Sequence, residues 1–320
     1  MTRGSPLGRS PSHRRASSSK VTSNSAIKTI LDQVPGWLGR VESVEPLEGG
    51  ITNRNYRVVV AGEGFVVRVG GERTELLGID RGIEAEATRL SAAAGVGPEV
   101  VAFLAGPGVL VSRFISGAPV ALESARQPAG LQRIAAALRR VHAAGYVEKT
   151  FSPFRVVRDY WVTASRHGVA IPEAFESALR TADEVEASLP SFSPRFCHND
   201  LLNANFIDDG DSIRIVDWEY AGMGDPFFDL GNFAVNHELD AAGERVLLEA
   251  YAGEYREADL ARLRLMRLMS DFREAMWGVV QQGISTLDFD FRAYAHKHFD
   301  RFQAAAAQPA FRDWLRLARG

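Results

Sequence analysis

The sequence predicts an α+β protein of two lobes. A small N-terminal lobe has an antiparallel sheet and one main helix, and a larger C-terminal lobe is mostly helical. Three observations carry that prediction. Up to about residue 115 the chain reads as short alternating runs rich in valine, broken by glycine turns and by one helical segment. After Ser116-Gly117 the period changes to that of amphipathic helices. With 320 residues, 46% hydrophobic and 24% charged, the chain can bury a sizeable core in each lobe.

The first two dozen residues stand apart. MTRGSPLGRSPSHRRASSSKVTSNS is rich in Ser, Arg and Pro, has no acid and no apolar period. Residues 1–24 are therefore expected to be a disordered basic tail. The composition also resembles a transit peptide, but the amphipathic apolar face is missing. A plain tail, or a start codon placed too early, fits better.

From Ala26 to Leu38 the pattern suggests a short helix. VESVEPLEGGITNRNYRVVVAGEGFVVRVGG then reads as antiparallel strands with turns at Gly49-Gly50 and Gly62-Glu63-Gly64. IDRGIEAEATRLSAAAG is a helix ended by Gly95 and followed by Pro98, and EVVAFLAG and GVLVSRFI are strands. The N-terminal lobe is expected over 25–116, with the hinge near Phe114–Gly117, and the C-terminal lobe over 117–320. In the second lobe AGLQRIAAALRRVHAAG is a long amphipathic helix. Further helices are expected at about Arg155–His167 and Ala174–Leu189, and almost throughout from Pro226 onward. A polar stretch between them reads as a pair of short strands.

Composition narrows the function. A net charge of −3 gives no electrostatic footprint for nucleic acid. The single cysteine, Cys197, excludes an internal disulfide and a cysteine-rich metal cluster and fits a reducing, cytoplasmic setting. Cys197 itself reads as a small buried hydrophobe. No apolar run is long enough to span a membrane. His142 reads as structural, and His296 and His298, flanking Lys297, as part of a solvated helix face. No histidine pair has partners at zinc-ligand spacing.

The polar stretch FCHNDLLNANFIDDGDSIRIVDWEY, from Phe196 to Tyr220, concentrates the chemistry. Polar groups packed that densely near a core must bond to each other, to a metal or to a substrate. Asp200 and Asn205 supply a carboxylate and an amide oxygen from one loop, and Asp217 ends the apolar strand IRIVD. Two hard oxygen ligands, Asn205 and Asp217, can share a magnesium ion while His198 holds the loop by hydrogen bonding. Phosphoryl transfer from ATP asks for such metal ligands, for a carboxylate near the attacking hydroxyl, and for positioning.

The spacing H-x-D-x-x-x-x-N, a hydrophobic strand and then D resembles the kinase-like phosphotransferases, the superfamily of aminoglycoside phosphotransferases and choline kinases. The form DWEYAG…DPFFDLGN is most similar to the choline/ethanolamine kinase branch. The resemblance implies a two-lobed protein-kinase-like fold. It implies Asp200 as catalytic base, with His198 in the same catalytic motif, Asn205 and Asp217 as magnesium ligands, and Asp229 as an acid supporting the catalytic loop. Where kinases carry D-F-G this chain has Asp217-Trp218-Glu219, and Trp218 is expected to pack beneath the metal site as the phenylalanine does.

LEGGITNRNYRV resembles the GG-[LI]-TN-x-NY segment of choline kinases. Gly49 and Gly50 let backbone approach closely, and Thr52, Asn53 and Asn55 offer hydrogen bonds to phosphate. No lysine lies between Lys28 and Lys149, so a strand lysine cannot hold the phosphates. Arg68 is the cation on the strand after the Gly64 turn and can do that work through its fork of donors. Its carboxylate partner is expected to be Glu84, with Glu86 the alternative. The adenine is expected between the lobes, against the backbone of Ser112–Ile115, with Ser112 and Phe114 in the site. ATP and magnesium are thus the implied cofactors.

For the acceptor, the resemblance implies that Glu219, Tyr220, Trp277 and Tyr294 line the site, Trp277 standing in a W-x-x-x-Q-x-x-I-S run. A quaternary ammonium is recognised by aromatic faces and nearby negative charge. Two positions depart from the pattern. Glu274 stands where some members have a second tryptophan, and Asn236 where members have an acid. The implied partner is a small amino alcohol, choline or ethanolamine, with an aminoglycoside or other polyol as the alternative acceptor. A non-catalytic pseudokinase would have lost the base or a metal ligand, and none is missing here.

Overall fold

The α+β architecture is present in the computed structural model, which describes residues 27–47 and 53–319. The 1–24 tail and the candidate residues Gly49, Gly50 and Thr52 lie outside the described residues.

Five strands form one antiparallel sheet: β1 (Val41–Leu47), β2 (Asn53–Val60), β3 (Glu63–Gly70), β4 (Val100–Leu104) and β5 (Val109–Arg113), in the order β1-β2-β3-β5-β4. Valine-rich alternation puts Val58, Val60, Phe65, Val67, Val109 and Val111 on one buried face. Ile27, Leu31, Val34 and Trp37 cover that face from the N-terminal side. Among the described residues the helix expected over 26–38 is helical at 27–31 and gives way to turns, with Pro35 and a left-handed Gly36 (φ 80°) barring its continuation. The β2–β3 turn is also tighter than expected. It uses Ala61 and Gly62, both at positive φ (53° and 79°), and Glu63 and Gly64 already pair with Val60 and Val59. A two-residue loop with both φ positive follows the natural twist of the strands.

Helix α1 (Arg81–Ala93) starts where the Asp80 carboxylate accepts the Gly82 and Ile83 N–H groups at 2.8 and 3.1 Å. It turns Glu84, Ala85, Ala87 and Thr88 inward. Residues 114–117 then lead to β6 (Ala118–Pro119). Gly117 is needed there, since an added Cβ would stand 2.4 Å from the Asp208 carbonyl oxygen.

The rest of the chain is mainly helical: α2 (Leu122–Arg126), α3 (Pro128–His142), α4 (Pro153–Arg166) and α5 (Ala174–Ser188) precede the polar stretch. That stretch forms β7 (Arg195–Cys197), a 3-10 turn at Asn203–Asn205, β8 (Phe206–Asp208) and β9 (Ile213–Ile215), with β10 (Gly222–Gly224) just beyond. The expected hairpin is β8–β9, and it gains β6 as a third strand, while β7 pairs with β10. Four longer helices follow, α6 (Pro226–Asn236), α7 (Ala241–Ala252), α8 (Glu257–Ile284) and α9 (Phe291–Ala306), then the short α10 (Phe311–Leu317).

Helix α8 is the axis of this part. It is buried on every side from Leu268 to Gln281, so it shows no polar face there. Helices α4, α6 and α9 pack around it. His298 corrects the expectation of a solvated face. It follows Phe291 and Ala295 along the buried stripe of α9, and its Nδ1 meets Asp271 Oδ1 at 2.8 Å, whereas His296 and Lys297 are exposed. Cys197 is fully buried, as expected, and burial pushes its thiol well above its ordinary range.

Helices α6 and α8 cross at Gly231, where a Cβ would stand 2.7 Å from the Arg267 nitrogen and the Met266 carbonyl carbon, both backbone. Gly231→Ala should therefore lower stability by about 1–3 kcal/mol. Chemical denaturation measures it, and an unchanged midpoint would contradict this account of the crossing.

Candidate active site

The loop after β7 is shaped by one carboxylate. Asp229, in the first turn of α6, has no exposure. Its Oδ2 accepts the His198 N–H at 2.8 Å and its Oδ1 the Asn199 N–H at 2.7 Å. The His142 Nε2 lies 3.0 Å from Oδ2, and its Nδ1 lies 2.7 Å from the Tyr251 hydroxyl. This explains why His142 is buried. One helical turn further on, Asn232 accepts the Leu201 N–H through Oδ1 and donates to Ser270 Oγ at 2.8 Å. The loop can then hold Asn199 at φ 66°, a left-handed conformation rare for a non-glycine residue. Asp200 follows directly.

His198 ties this loop to the next hairpin arm. Its Nε2 is 3.0 Å from the Val216 carbonyl oxygen, and its Nδ1 is 3.2 Å from the Asp200 nitrogen. A neutral ring protonated at Nε2 satisfies both contacts, and burial lowers its basicity. Grouped with Asp200 from the sequence, His198 presents no free ring nitrogen to the cleft; it positions backbone. Trp218 lies under the same arm, stacked on Phe196 at 5.4 Å and edge-on to His198 at 4.6 Å.

Asn205 and Asp217 come from adjoining segments, linked by a 3.0 Å bond from the Val216 N–H to the Asn205 carbonyl. Asn205 Nδ2 donates to the Asp200 carbonyl at 2.8 Å, which fixes the amide and leaves Oδ1 as its acceptor. Asp217 sits at φ 71°, a second left-handed residue. An amide oxygen and a carboxylate are the hard donors that magnesium takes, so this pair fits the expected ion.

Across the cleft, Arg68 Nη1 reaches Glu84 Oε1 at 2.8 Å and Asp217 Oδ1 at 2.5 Å. Glu84 is the partner, and Glu86 is exposed. Burial pushes the Asp217 carboxyl up, but the Arg68 guanidinium outweighs it and holds the group below its ordinary value. Arg81, which the sequence reading missed, completes the cluster. It donates to Glu84 Oε2 at 2.6 Å, Glu219 Oε2 at 3.0 Å and Asn53 Oδ1 at 2.8 Å. Asn53 Nδ2 also donates to Glu219 Oε2 at 2.8 Å. Asn53 and Glu219, expected at the phosphate and at the acceptor, are thus both engaged in this arginine cluster. Burial and the neighbouring Asp217 charge raise the Glu219 carboxyl.

A cleft of about 350 Å³ opens beside the cluster, lined by Asn55, Arg68, Ser112, Phe114 and Asp217 among others. The Asn55 Oδ1 is buried there without a hydrogen-bond partner among the described residues. Two N–H groups in 112–115 are committed to the sheet: Arg113 donates to the Glu99 carbonyl at 2.8 Å and Phe114 to the Gly64 carbonyl at 3.0 Å.

On the other side of Asp200, three expected aromatic residues meet. Trp277 Nε1 donates to the Tyr220 hydroxyl at 3.1 Å, and the Trp277 and Tyr294 rings lie 5.5 Å apart at 67°. The Tyr294 hydroxyl donates to Glu274 Oε2 at 2.6 Å. Arg273, also missed from sequence, donates through Nη1 to Asp200 Oδ1 at 3.0 Å and to Glu274. Burial pushes the Asp200 carboxyl up to about 7 even against the Arg273 charge, while Arg273 holds Glu274 below its ordinary value despite burial. Arg81 and Arg273 each have one partner close in the chain, Glu84 and Glu274, but their other partners, Asn53, Glu219 and Asp200, lie far off in it.

Comparison with known proteins bears on this arrangement. Residues 43–266 match the phosphotransferase enzyme family. Ethanolamine kinase 2 of Mus musculus is 31% identical over 310 aligned positions, taking in 87% of this chain and 80% of that protein. A crystal structure of a choline/ethanolamine kinase family protein from Mesorhizobium loti is 33% identical with a TM-score of 0.81, covering 92% of this chain and 99% of that one. The choline kinase LicA of Streptococcus pneumoniae, 24% identical, shares the fold at a TM-score of 0.76 over 89% of this chain and 99% of its own.

Asp229→Ala would strand the loop donors at His198 and Asn199 in the core. A loss of more than about 2 kcal/mol is expected, since each unpaired buried group costs about 1–3 kcal/mol. Asp229→Asn, which keeps one acceptor oxygen, should lose less. Equal melting temperatures for the two variants would remove Asp229 from this role.

Proposed function

The chain belongs to the phosphotransferase enzyme family and is a small-molecule kinase; from that premise we propose that it moves the γ-phosphoryl group of ATP to the hydroxyl of a small amino alcohol of the choline or ethanolamine type. The observation that carries the reading is the wall beside Asp200. Tyr220, Trp277 and Tyr294 stand there with the Glu274 carboxylate, which is the mixture of rings and negative charge that an alkylammonium group binds. Kinship with ethanolamine and choline kinases supports the same acceptor class.

In this mechanism the acceptor hydroxyl approaches Asp200. The carboxyl's basicity, raised by burial, suits it to take the proton as the oxygen attacks. The Asp229 clamp and His198 aim it by fixing the backbone on either side. Arg68 faces the phosphate oxygens and balances their charge, and Glu84 keeps its guanidinium directed into the cleft. Asn205 and Asp217 would hold magnesium, whose double charge neutralises the phosphates when it is bound. Asn55 offers its amide in the same cleft. The purine ring lies against Ser112 and Phe114.

Two variants test the reading. Asp200→Ala should reduce turnover by at least about 100-fold, the usual scale of a lost general base, while ATP binding by calorimetry stays near the wild-type value. Equal loss of nucleotide affinity would contradict the role. Trp277→Ala should raise the KM for the amino alcohol much more than that for ATP in an ADP-release assay. A KM for the amine that did not move would take Trp277 out of the site.

A further inference from the structure

Arg273 places a cation where an ammonium group would be expected. It is 1% exposed, and its guanidinium carbon lies 4.2 Å from the centroid of the Tyr220 ring. Through Nη1 it bonds to Asp200 and to Glu274. Its Nε and Nη2 are buried without partners among the described residues, so the group is not held there by a full set of hydrogen bonds. Tyr220, Trp277 and Glu274 are each less than a tenth exposed, so little space is left in front of them.

We propose that Arg273 sets the acceptor specificity of this kinase: by holding the cation seat on Tyr220 it selects an alcohol bearing a primary ammonium over one bearing a quaternary ammonium. The inference deepens the amino-alcohol reading of the same site and rests on it. A trimethylammonium group has no N–H. It is held by aromatic faces and by net negative charge, and it is bulky. Here one face is covered and one of the two carboxylate charges is offset by Arg273. A primary ammonium loses the same face but brings three donors. Each carboxylate oxygen has two acceptor sites. Among the described residues Glu274 has bonds from Arg273 and Tyr294, and Asp200 has one side-chain bond from Arg273, so acceptor sites remain for those donors. The smaller head group also suits the closed wall.

The test compares kcat/KM for ethanolamine and choline in the wild type, Arg273→Met and Arg273→Gln, by ADP release. The wild type is expected to favour ethanolamine by about tenfold or more, and Arg273→Met to move the ratio toward choline by about tenfold, the scale of one cation–π contact. The KM for ATP should stay unchanged. Loss of the Asp200 contact lowers kcat with both amines and cancels in the ratio. An unchanged ratio, whatever the fall in kcat, would overturn the proposal and leave Arg273 as a holder of Asp200 alone. Should Arg273→Met fail to fold by thermal melting, Arg273→Gln carries the comparison, since its amide still offers a donor to Asp200 without the charge. A ratio that stays at the wild-type value in Arg273→Gln is then the overturning result. A wild type that turned over neither amine but did phosphorylate another alcohol would instead sink the amino-alcohol reading, and this inference with it.

Discussion

The catalytic half of the molecule depends on one buried carboxylate accepting backbone hydrogen bonds. Asp229 lies in the first turn of α6, where a negative charge is favoured by the helix dipole, and it faces the N–H groups of His198 and Asn199. A fully buried charge is tolerable only when its lone pairs are satisfied. Here they are satisfied by a loop that would otherwise not hold Asn199 at positive φ. The constraint runs both ways: the loop supplies the donors that satisfy the Asp229 oxygens, and Asp229 supplies the rigidity that aims Asp200. His142 and Asn232 extend the same fixation to α3 and α8.

From that fixed loop two charge networks spread in opposite directions. Toward the sheet Arg68 and Arg81 alternate with Glu84, Asp217 and Glu219. Toward α8 Arg273 stands between Asp200 and Glu274. Within each set the carboxyls are pushed apart in basicity by their surroundings. Asp217 is held low by Arg68, which suits a group that stays ionised beside a metal, whereas burial raises Asp200 toward neutrality, which suits a group that takes a proton. Glu274 is held low like Asp217, by its own arginine neighbour.

Much of this could be read from the chain because local spacing encodes it. Asp200, Asn205 and Asp217 lie on one loop and its hairpin, so their convergence needs only short strands. Arg68 and Glu84 could be paired because a strand followed by a helix brings them face to face. What could not be read depends on tertiary packing. Arg81 and Asn53 meet Glu219 across 138 and 166 residues of chain and each other across 28, and nothing local marks Asn53 as engaged with Arg81 rather than with phosphate. Arg273 is equally hidden, since a helix buried all round shows no periodic face to betray it. His298 was misread for a simpler reason: its neighbours Lys297 and His296 are polar, but the 3.6-residue period through Phe291 and Ala295 carries it inward.

The arginine cluster also bears on how the two halves meet. Arg68 and Arg81 belong to β3 and α1, while Asp217 and Glu219 belong to the arm after β9, so the ion pairs between them cross the cleft. They run beside apolar clusters in which Leu77, Ile79, Ala87 and Val96 already pack with the helical part. Such links respond to whatever charge enters between them. Phosphate oxygens offer Arg68 acceptors that compete with Asp217, and a carboxylate released from that pair is the one the proposed mechanism assigns to magnesium. In the proposed mechanism charge pairing would be conserved: Arg68 would exchange one anion for another, Asp217 would be free to hold magnesium, and Glu84, buried against Arg68, would keep the guanidinium at the cleft.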